Sequence, residues 1–249
     1  MVIIALTNGS QREHPFKSTL IQRDTMLSTH NTKNIASVLF DLDGTLLDTA
    51  DDLGAALNHV LSQYGKPQVS AQDYRPIASD GALGLLNLGF GDAIKQYDYE
   101  VLRQQFLDYY QENIAVHTCL YSGVAELLQH LEMNEIPWGI VTNKPEGLTK
   151  LLLPHYPEFS QCAVMVAGDT LTKRKPDPAP ILYACKQMSV DHQQCFYVGD
   201  ALRDIQAGNS AKMTTFVAQW GYILSDENCQ SWQADHIIAA PLDLISFIG

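Results

Sequence analysis

Asp41-Leu42-Asp43-Gly44 sets two carboxylates one residue apart, directly after a short apolar run. Three further segments carry groups of matching chemistry: Thr142-Asn143-Lys144, Lys175-Pro176-Asp177-Pro178, and Gly199-Asp200 with Asp204 four residues on. Brought together, Asp41, Asp43, Asp200 and Asp204 repel one another, and their neutral forms are favoured unless a cation sits among them. Oxygen ligation by a few carboxylates, with waters left over, suits Mg²⁺. Asp200 and Asp204, spaced i, i+4, share one face of a starting helix, so both can look at one ion. The ion and Lys175 together would supply the local positive charge needed to hold a phosphate.

These segments can meet only if a fold gathers them. Residues 35–40 form an apolar run of the kind that becomes a strand buried on both faces. The runs at 138–141, 163–166, 196–198, 215–217 and 236–238 read as further strands, separated mostly by helical stretches. Strands alternating with helices predict an α/β fold, a Rossmann-like, doubly wound parallel sheet covered on both faces. In such a sheet, functional residues collect at the carboxyl ends of the strands. All four segments follow a predicted strand, the Lys175 segment after a loop.

Between the first strand and residue 119 the pattern is helical throughout. Leu53, Ala56, Leu57, Val60, Leu61 and Tyr64 follow an amphipathic helical spacing that ends at Gly65 and Pro67, and Leu102, Phe106, Tyr109 and Tyr110 follow another. The expected organisation is a core of 34–53 and 119–249 with an inserted all-helical domain at 54–118. Residues 1–33 are polar and aperiodic, and an unstructured arm is expected there. Met26 within it is a candidate true start.

The net charge of -12 disfavours nucleic acid and anionic lipid as partners. The five cysteines are widely spaced, odd in number and without a C-x-x-C pair, which argues against a disulfide framework or a zinc site and fits a reducing cytoplasm. No apolar run approaches the ~20 residues of a membrane span. The apolar residues 2–6 lack the preceding basic residue and the length of a signal peptide. The reading is a soluble protein, not exported, whose partner is a small phosphorylated metabolite.

The four segments, in this order, resemble the four motifs of the haloacid dehalogenase superfamily: Asp41-Leu42-Asp43-Gly44-Thr45-Leu46-Leu47-Asp48-Thr49, Thr142-Asn143, Lys175-Pro176, and Gly199-Asp200-Ala201-Leu202-Arg203-Asp204. The similarity covers about 34–249. It implies a phosphatase in which Asp41 attacks phosphorus and Asp43 serves as general acid and base. Thr142 binds phosphoryl oxygens, Lys175 offsets charge, and Thr45 and Asn143 contact substrate. Mg²⁺ takes Asp41, Asp43 through its backbone carbonyl, and Asp200, with Asp204 in support. The insert resembles the helical cap that closes over such sites and selects substrate. Within the superfamily the chain is similar to the phosphoglycolate phosphatase group. Ala115-Val116-His117, 138–145, Gly221-Tyr222-Ile223 and Trp232 resemble the N-acetylmuramic acid 6-phosphate phosphatases. That branch often carries an arginine in the cap loop where this chain has Leu83. The sugar phosphate is the favoured substrate and 2-phosphoglycolate the alternative. A sugar phosphomutase and a non-catalytic phosphometabolite-binding protein are rival readings.

Several side chains admit two roles. Ser79 and Gly81 open an apolar helix, either as an anion-binding helix start or as a plain cap. Arg75 is either a ligand for a substrate carboxylate or an exposed arginine. Asp48 is expected to cap the helix that follows it. Lys144 reads as a solvated loop lysine or a substrate contact, and Arg203 as a surface side chain or a carboxylate partner. His117 is the one histidine singled out for test. The tyrosines at 97, 99, 109 and 110 are expected to pack within the cap.

Overall fold

The computed structural model describes residues 35–224 and 228–248. The arm expected at 1–33 lies outside the described residues, as does Met26. Strand β1 (Ser37–Phe40) is buried at every position, as its apolar run requires. After it come β2 (Leu47–Asp48), α1 (Ala50–Gln63), α2 (Ala71–Tyr74), α3 (Gly81–Phe90) and α4 (Tyr99–Glu112). Next are β3 (Cys119–Leu120), α5 (Val124–Met133), β4 (Trp138–Val141), α6 (Glu146–Leu152), β5 (Val164–Val166) and α7 (Ala179–Met188). The chain then runs through β6 (Cys195–Gly199), α8 (Leu202–Ser210), β7 (Thr214–Ala218), β8 (His236–Ile238) and α9 (Ile245–Ile248).

Six strands form a parallel sheet in the order β5-β4-β1-β6-β7-β8. The chain winds outward from β1 in one direction through β4 and β5, then in the other through β6, β7 and β8. β1 therefore lies at the switch point, where the carboxyl ends of neighbouring strands open a crevice. The same end of β1, β4 and β6 delivers Asp41, Thr142 and Asp200.

The helices α1 to α4 form the cap, inserted between β2 and β3. These two short strands pair antiparallel, Leu47 opposite Leu120 and Asp48 opposite Cys119, and form the neck of the insert. Two-residue strands carry too little pattern to be seen in sequence. The boundary expected at 53/54 falls inside α1, which runs unbroken from Ala50. The periodic apolar face of α1 (Leu53, Ala56, Leu57, Val60, Leu61) is buried. One apolar cluster continues from Phe40 and Trp138 through Leu57 to Leu86, Leu102 and Phe106 of the cap.

Asp52 fastens the two crossings of the neck. Its buried carboxylate accepts hydrogen bonds from the backbone of Val116 (3.1 Å), His117 (2.9 Å) and Thr118 (2.9 Å), and from Thr118 Oγ1 (2.7 Å). His117 thus contributes its backbone N–H to the hinge, and its ring does not line the cavity described below. Asp48, expected as a helix cap, accepts the Ala50 amide at the start of α1 (3.4 Å) and also takes the Arg75 guanidinium and the Tyr222 hydroxyl (3.0 Å). That same hydroxyl accepts from the Thr49 and Ala50 amides, so Tyr222 holds the start of α1.

Candidate active site

Asp41 follows β1 and is buried. Its Oδ1 accepts from the Leu42 amide at 2.7 Å and pairs with Lys175 Nζ at 2.8 Å. Among the described residues no hydrogen bond is made to Oδ2. Burial pushes the Asp41 carboxyl above its ordinary pKa, with Lys175 pulling it back down and Asp204 adding to the rise.

Lys175 is the charge centre. Its buried ammonium lies 2.8 Å from both Asp41 Oδ1 and Asp204 Oδ1, and also donates to the Val141 carbonyl (2.8 Å) and Tyr197 Oη (3.0 Å). A buried ammonium is tolerated only when paired and hydrogen-bonded in this way. Asp204, fully buried in the first turn of α8, also accepts the Ala201 amide at 3.0 Å.

Asp200 follows β6 and accepts Thr45 Oγ1 (3.0 Å) on one oxygen and the Tyr222 amide (2.9 Å) on the other. Burial, reinforced by the charges of Asp41 and Asp204, raises its pKa to about 7. Asp41, Asp200 and Asp204 each present a carboxylate oxygen within 4.8 Å of the other two. Three buried carboxylates against one lysine ammonium form a donor set deficient in positive charge. Hard oxygen ligands so arranged fit a hard divalent cation. Gly44 makes the approach possible: its φ is +84°, and a Cβ there would sit 2.1 Å from Asp200 Oδ2.

Asp43 stands beside this centre. Its Oδ1 accepts Thr49 Oγ1 at 2.7 Å and Lys144 Nζ at 2.9 Å. Of the two sequence readings of Lys144, burial excludes the solvated loop lysine, and its place in the cavity described below leaves the substrate contact open. Its ammonium also meets Tyr110 Oη of α4 at 2.9 Å and lies over that ring. Burial alone would lower the Lys144 pKa; Asp43 and Tyr110 more than offset it, and the pKa is raised. Burial likewise lifts the Tyr110 phenol to about 12. The strand-end position two residues after Thr142 was the available sequence signal for Lys144. Nothing local revealed that a cap tyrosine would meet it.

A cavity of about 780 Å³ opens above these groups. Asp41, Asp43, Thr142, Asn143, Lys144 and Lys175 line its floor. Asn143 donates to the Lys175 carbonyl (3.0 Å), and its buried Oδ1 has no partner among the described residues. The cap supplies the ceiling, with Ser79, Gly81 and Leu83 at the start of α3 and Tyr99, Arg103, Phe106 and Tyr110 on one face of α4. Tyr99 and Tyr110 therefore face the cavity. Tyr97 packs on Tyr64 and Phe90, and Tyr109 stacks on His59, as cap packing predicts.

The 79–84 loop also touches the core. Ser79 Oγ lies 3.4 Å from Asp200 Oδ2, while Arg203 donates to the Ser79 carbonyl at 2.8 Å and lies 3.5 Å from Asp80. Arg203 is thus neither a plain surface side chain nor simply a carboxylate partner, since it binds core to cap.

Two expected substrate contacts are placed elsewhere. Arg75 is paired to Asp48 and Asp51 at the neck and does not line the cavity. Asp48 at the end of β2 and Asp51 in the first turn of α1 hold its guanidinium there. Thr45 spends its hydroxyl on Asp200 and is fully buried, away from the cavity wall.

Comparison with known proteins bears on this arrangement. Residues 38–218 match the model of the haloacid dehalogenase-like hydrolases. A phosphoglycolate phosphatase of Xanthomonas campestris pv. campestris is 44% identical over 210 residues, covering 84% of this chain and 94% of the relative. An N-acetylmuramic acid 6-phosphate phosphatase of Pseudomonas aeruginosa is 39% identical over 214 residues, covering 86% and 95%. Among solved structures, a Haemophilus somnus protein described as a predicted phosphoglycolate phosphatase superposes with a TM-score of 0.79 at 28% identity, covering 87% of this chain and 99% of that one.

Proposed function

Because the chain belongs to the haloacid dehalogenase-like hydrolase family and is a phosphoric monoester hydrolase, we propose that it is a Mg²⁺-dependent phosphatase acting through an aspartyl-phosphate on Asp41, with N-acetylmuramic acid 6-phosphate as preferred substrate. The observation that carries the reading is the convergence of Asp41, Asp200, Asp204 and Lys175 beneath one cavity of about 780 Å³. That volume lies in the range of pockets that enclose a drug-sized ligand. A sugar phosphate uses such a space more fully than a two-carbon acid does. 2-Phosphoglycolate is the second reading, because a relative at 44% identity carries that name.

The residues divide the work. Asp41 attacks phosphorus through a carboxylate oxygen, and the ester P–O bond breaks. Asp43 gives its proton to the leaving oxygen; it then accepts one from a water that attacks the acyl phosphate, releasing phosphate and restoring Asp41. Thr49 and Lys144 hold Asp43 Oδ1, which leaves Oδ2 to exchange the proton. Lys175 and the Thr142–Asn143 segment compensate and orient the phosphoryl oxygens. Asp41, Asp200 and Asp204 would hold Mg²⁺, with Asp43 contributing through its backbone. When bound, the ion would neutralise charge on the phosphoryl group. The free cysteines fit a reducing cytoplasm, and among the described residues no helix is long and apolar enough to cross a membrane.

The test is phosphate release from a panel of phosphomonoesters with and without Mg²⁺, in wild type and Asp41→Asn. Metal-dependent turnover, fastest with the sugar phosphate and absent in the variant, is expected. Turnover that survives Asp41→Asn sinks the covalent reading, and faster turnover of 2-phosphoglycolate sinks the substrate assignment.

A further inference from the structure

Five basic side chains line the cavity: Arg103, Lys144, Arg174, Lys175 and Arg203. Three are committed to the protein itself. Lys144 is bound to Asp43, Lys175 to Asp41 and Asp204, and Arg203 to the Ser79 carbonyl. Arg174 is exposed on the core side next to Lys175 and makes no ion pair among the described residues. Arg103 is the one that belongs to the cap. Its one carboxylate neighbour among the described residues is Glu100, at 3.7 Å on an exposed turn of the same helix. An exposed pair of that kind holds its partners weakly.

The cap's basic residues are Lys66, Arg75, Lys95 and Arg103. Of these, Arg103 alone lines the cavity. It sits on the face of α4 shared by Tyr99 and Phe106, each one helical turn away, and by Tyr110, two turns away, so on this helix a single guanidinium stands among three aromatic rings. In-line attack by Asp41 sets the phosphoryl group on the floor and leaves the alcohol portion under this ceiling. A lone guanidinium there, on an otherwise acidic protein, matches a single planar anion. Its fork of donors fits a carboxylate in bidentate fashion.

We propose that Arg103 determines specificity by receiving a carboxylate on the leaving group of the substrate, so that the enzyme selects phosphomonoesters whose alcohol portion is itself an acid. This rests on the phosphatase reading above and narrows its substrate class. It also shifts the carboxylate contact from Arg75, held at the neck, to a different helix.

Two substrate pairs isolate the carboxylate. N-Acetylmuramic acid 6-phosphate is compared with N-acetylglucosamine 6-phosphate, the same sugar phosphate without the acid-bearing ether; 2-phosphoglycolate is compared with ethyl phosphate. For each pair the ratio of kcat/KM values is measured with saturating Mg²⁺ in wild type, Arg103→Met, Arg103→Lys and Arg174→Met. Because the ratio is taken within one protein, partial loss of folded enzyme cancels. Wild type should favour the acid in at least one pair, and Arg103→Met should cut that ratio roughly 10- to 100-fold, the scale of one charged hydrogen-bonded contact. Arg103→Lys should restore part of it. A wild-type ratio near unity in both pairs overturns the proposal, as does a ratio unchanged in Arg103→Met. Collapse of the ratio in Arg174→Met alone also overturns it and moves the role to the core. Hydrolysis of p-nitrophenyl phosphate that is lost in Asp41→Asn keeps the phosphatase reading standing through any of these failures. Its absence in wild type overturns both.

Discussion

The floor and the ceiling of the cavity hold their charged side chains differently. On the floor, Asp41, Asp200, Asp204 and Lys175 are 0–3% exposed, and their charges answer one another within the protein. On the ceiling, Phe106 and Tyr110 are 1% exposed, but Leu83 is 57% exposed and the Arg103 side chain 39%, with Glu100 at 3.7 Å its one carboxylate neighbour among the described residues. Groups that do chemistry must be held to a fraction of an ångström, and burial with several hydrogen bonds does that. Groups that select a leaving group must meet it from solvent and release it, which requires looser, half-exposed side chains. Chemistry and selectivity can thus vary separately, which fits one core being shared by relatives named for different substrates.

The contrast predicts how each region responds to damage. Asp41→Asn should lower kcat by at least about a thousandfold. Survival of even a tenth of the activity would show that the floor is not the chemical centre. Chelation comes next. EDTA should stop turnover and lower the melting temperature, because three buried carboxylates would then have only the Lys175 ammonium to offset them, and added Mg²⁺ should restore both. Lys144→Met removes one of the two anchors of Asp43 and leaves Thr49. A fall of roughly 10- to 100-fold in kcat, with KM changing less, is expected for a displaced acid–base group; a pure KM effect would return Lys144 to the role of a substrate contact. Tyr110→Phe keeps the ring and removes only the hydroxyl that links cap to Lys144, so a few-fold loss of kcat should follow. The smallest effect belongs to Arg75→Met. Its ion pairs are partly exposed, so stability should drop by less than about 1 kcal/mol. KM for an acidic substrate should stay within about twofold of wild type, and a larger rise would put Arg75 back at the substrate.

The floor was legible because its residues lie at fixed offsets from strand ends. A buried apolar run followed by Asp41 or by Gly199-Asp200 announces both the element and the direction in which the next side chain points. The ceiling was less so. The helical period located α1 and α4 but not which face of the cap would turn toward Asp41. Arg75 looked available because no sequence rule brings Asp48 and Asp51 to it. Lys144 looked solvated because its partners, Asp43 and Tyr110, come from β1's loop and from the cap. Thr45 was attached to substrate by motif alone, whereas the fold gives its hydroxyl to Asp200. The neck strands β2 and β3, at two residues each, gave no periodic signal.

By itself the sequence determined the α/β core, which follows from local periodicity, and it set carboxylates, a hydroxyl and an ammonium after strand ends; the roles expected of those groups in phosphoryl transfer came from the resemblance of the four motifs. The tertiary structure alone decided which cations are consumed by protein carboxylates and which remain to meet a ligand. Pairing distances, burial and the meeting of cap with core depend on contacts between segments far apart in the chain. Such contacts leave no local pattern to read, and here they separate Lys175, locked between Asp41 and Asp204, from Arg103, whose one carboxylate neighbour among the described residues is Glu100 at 3.7 Å.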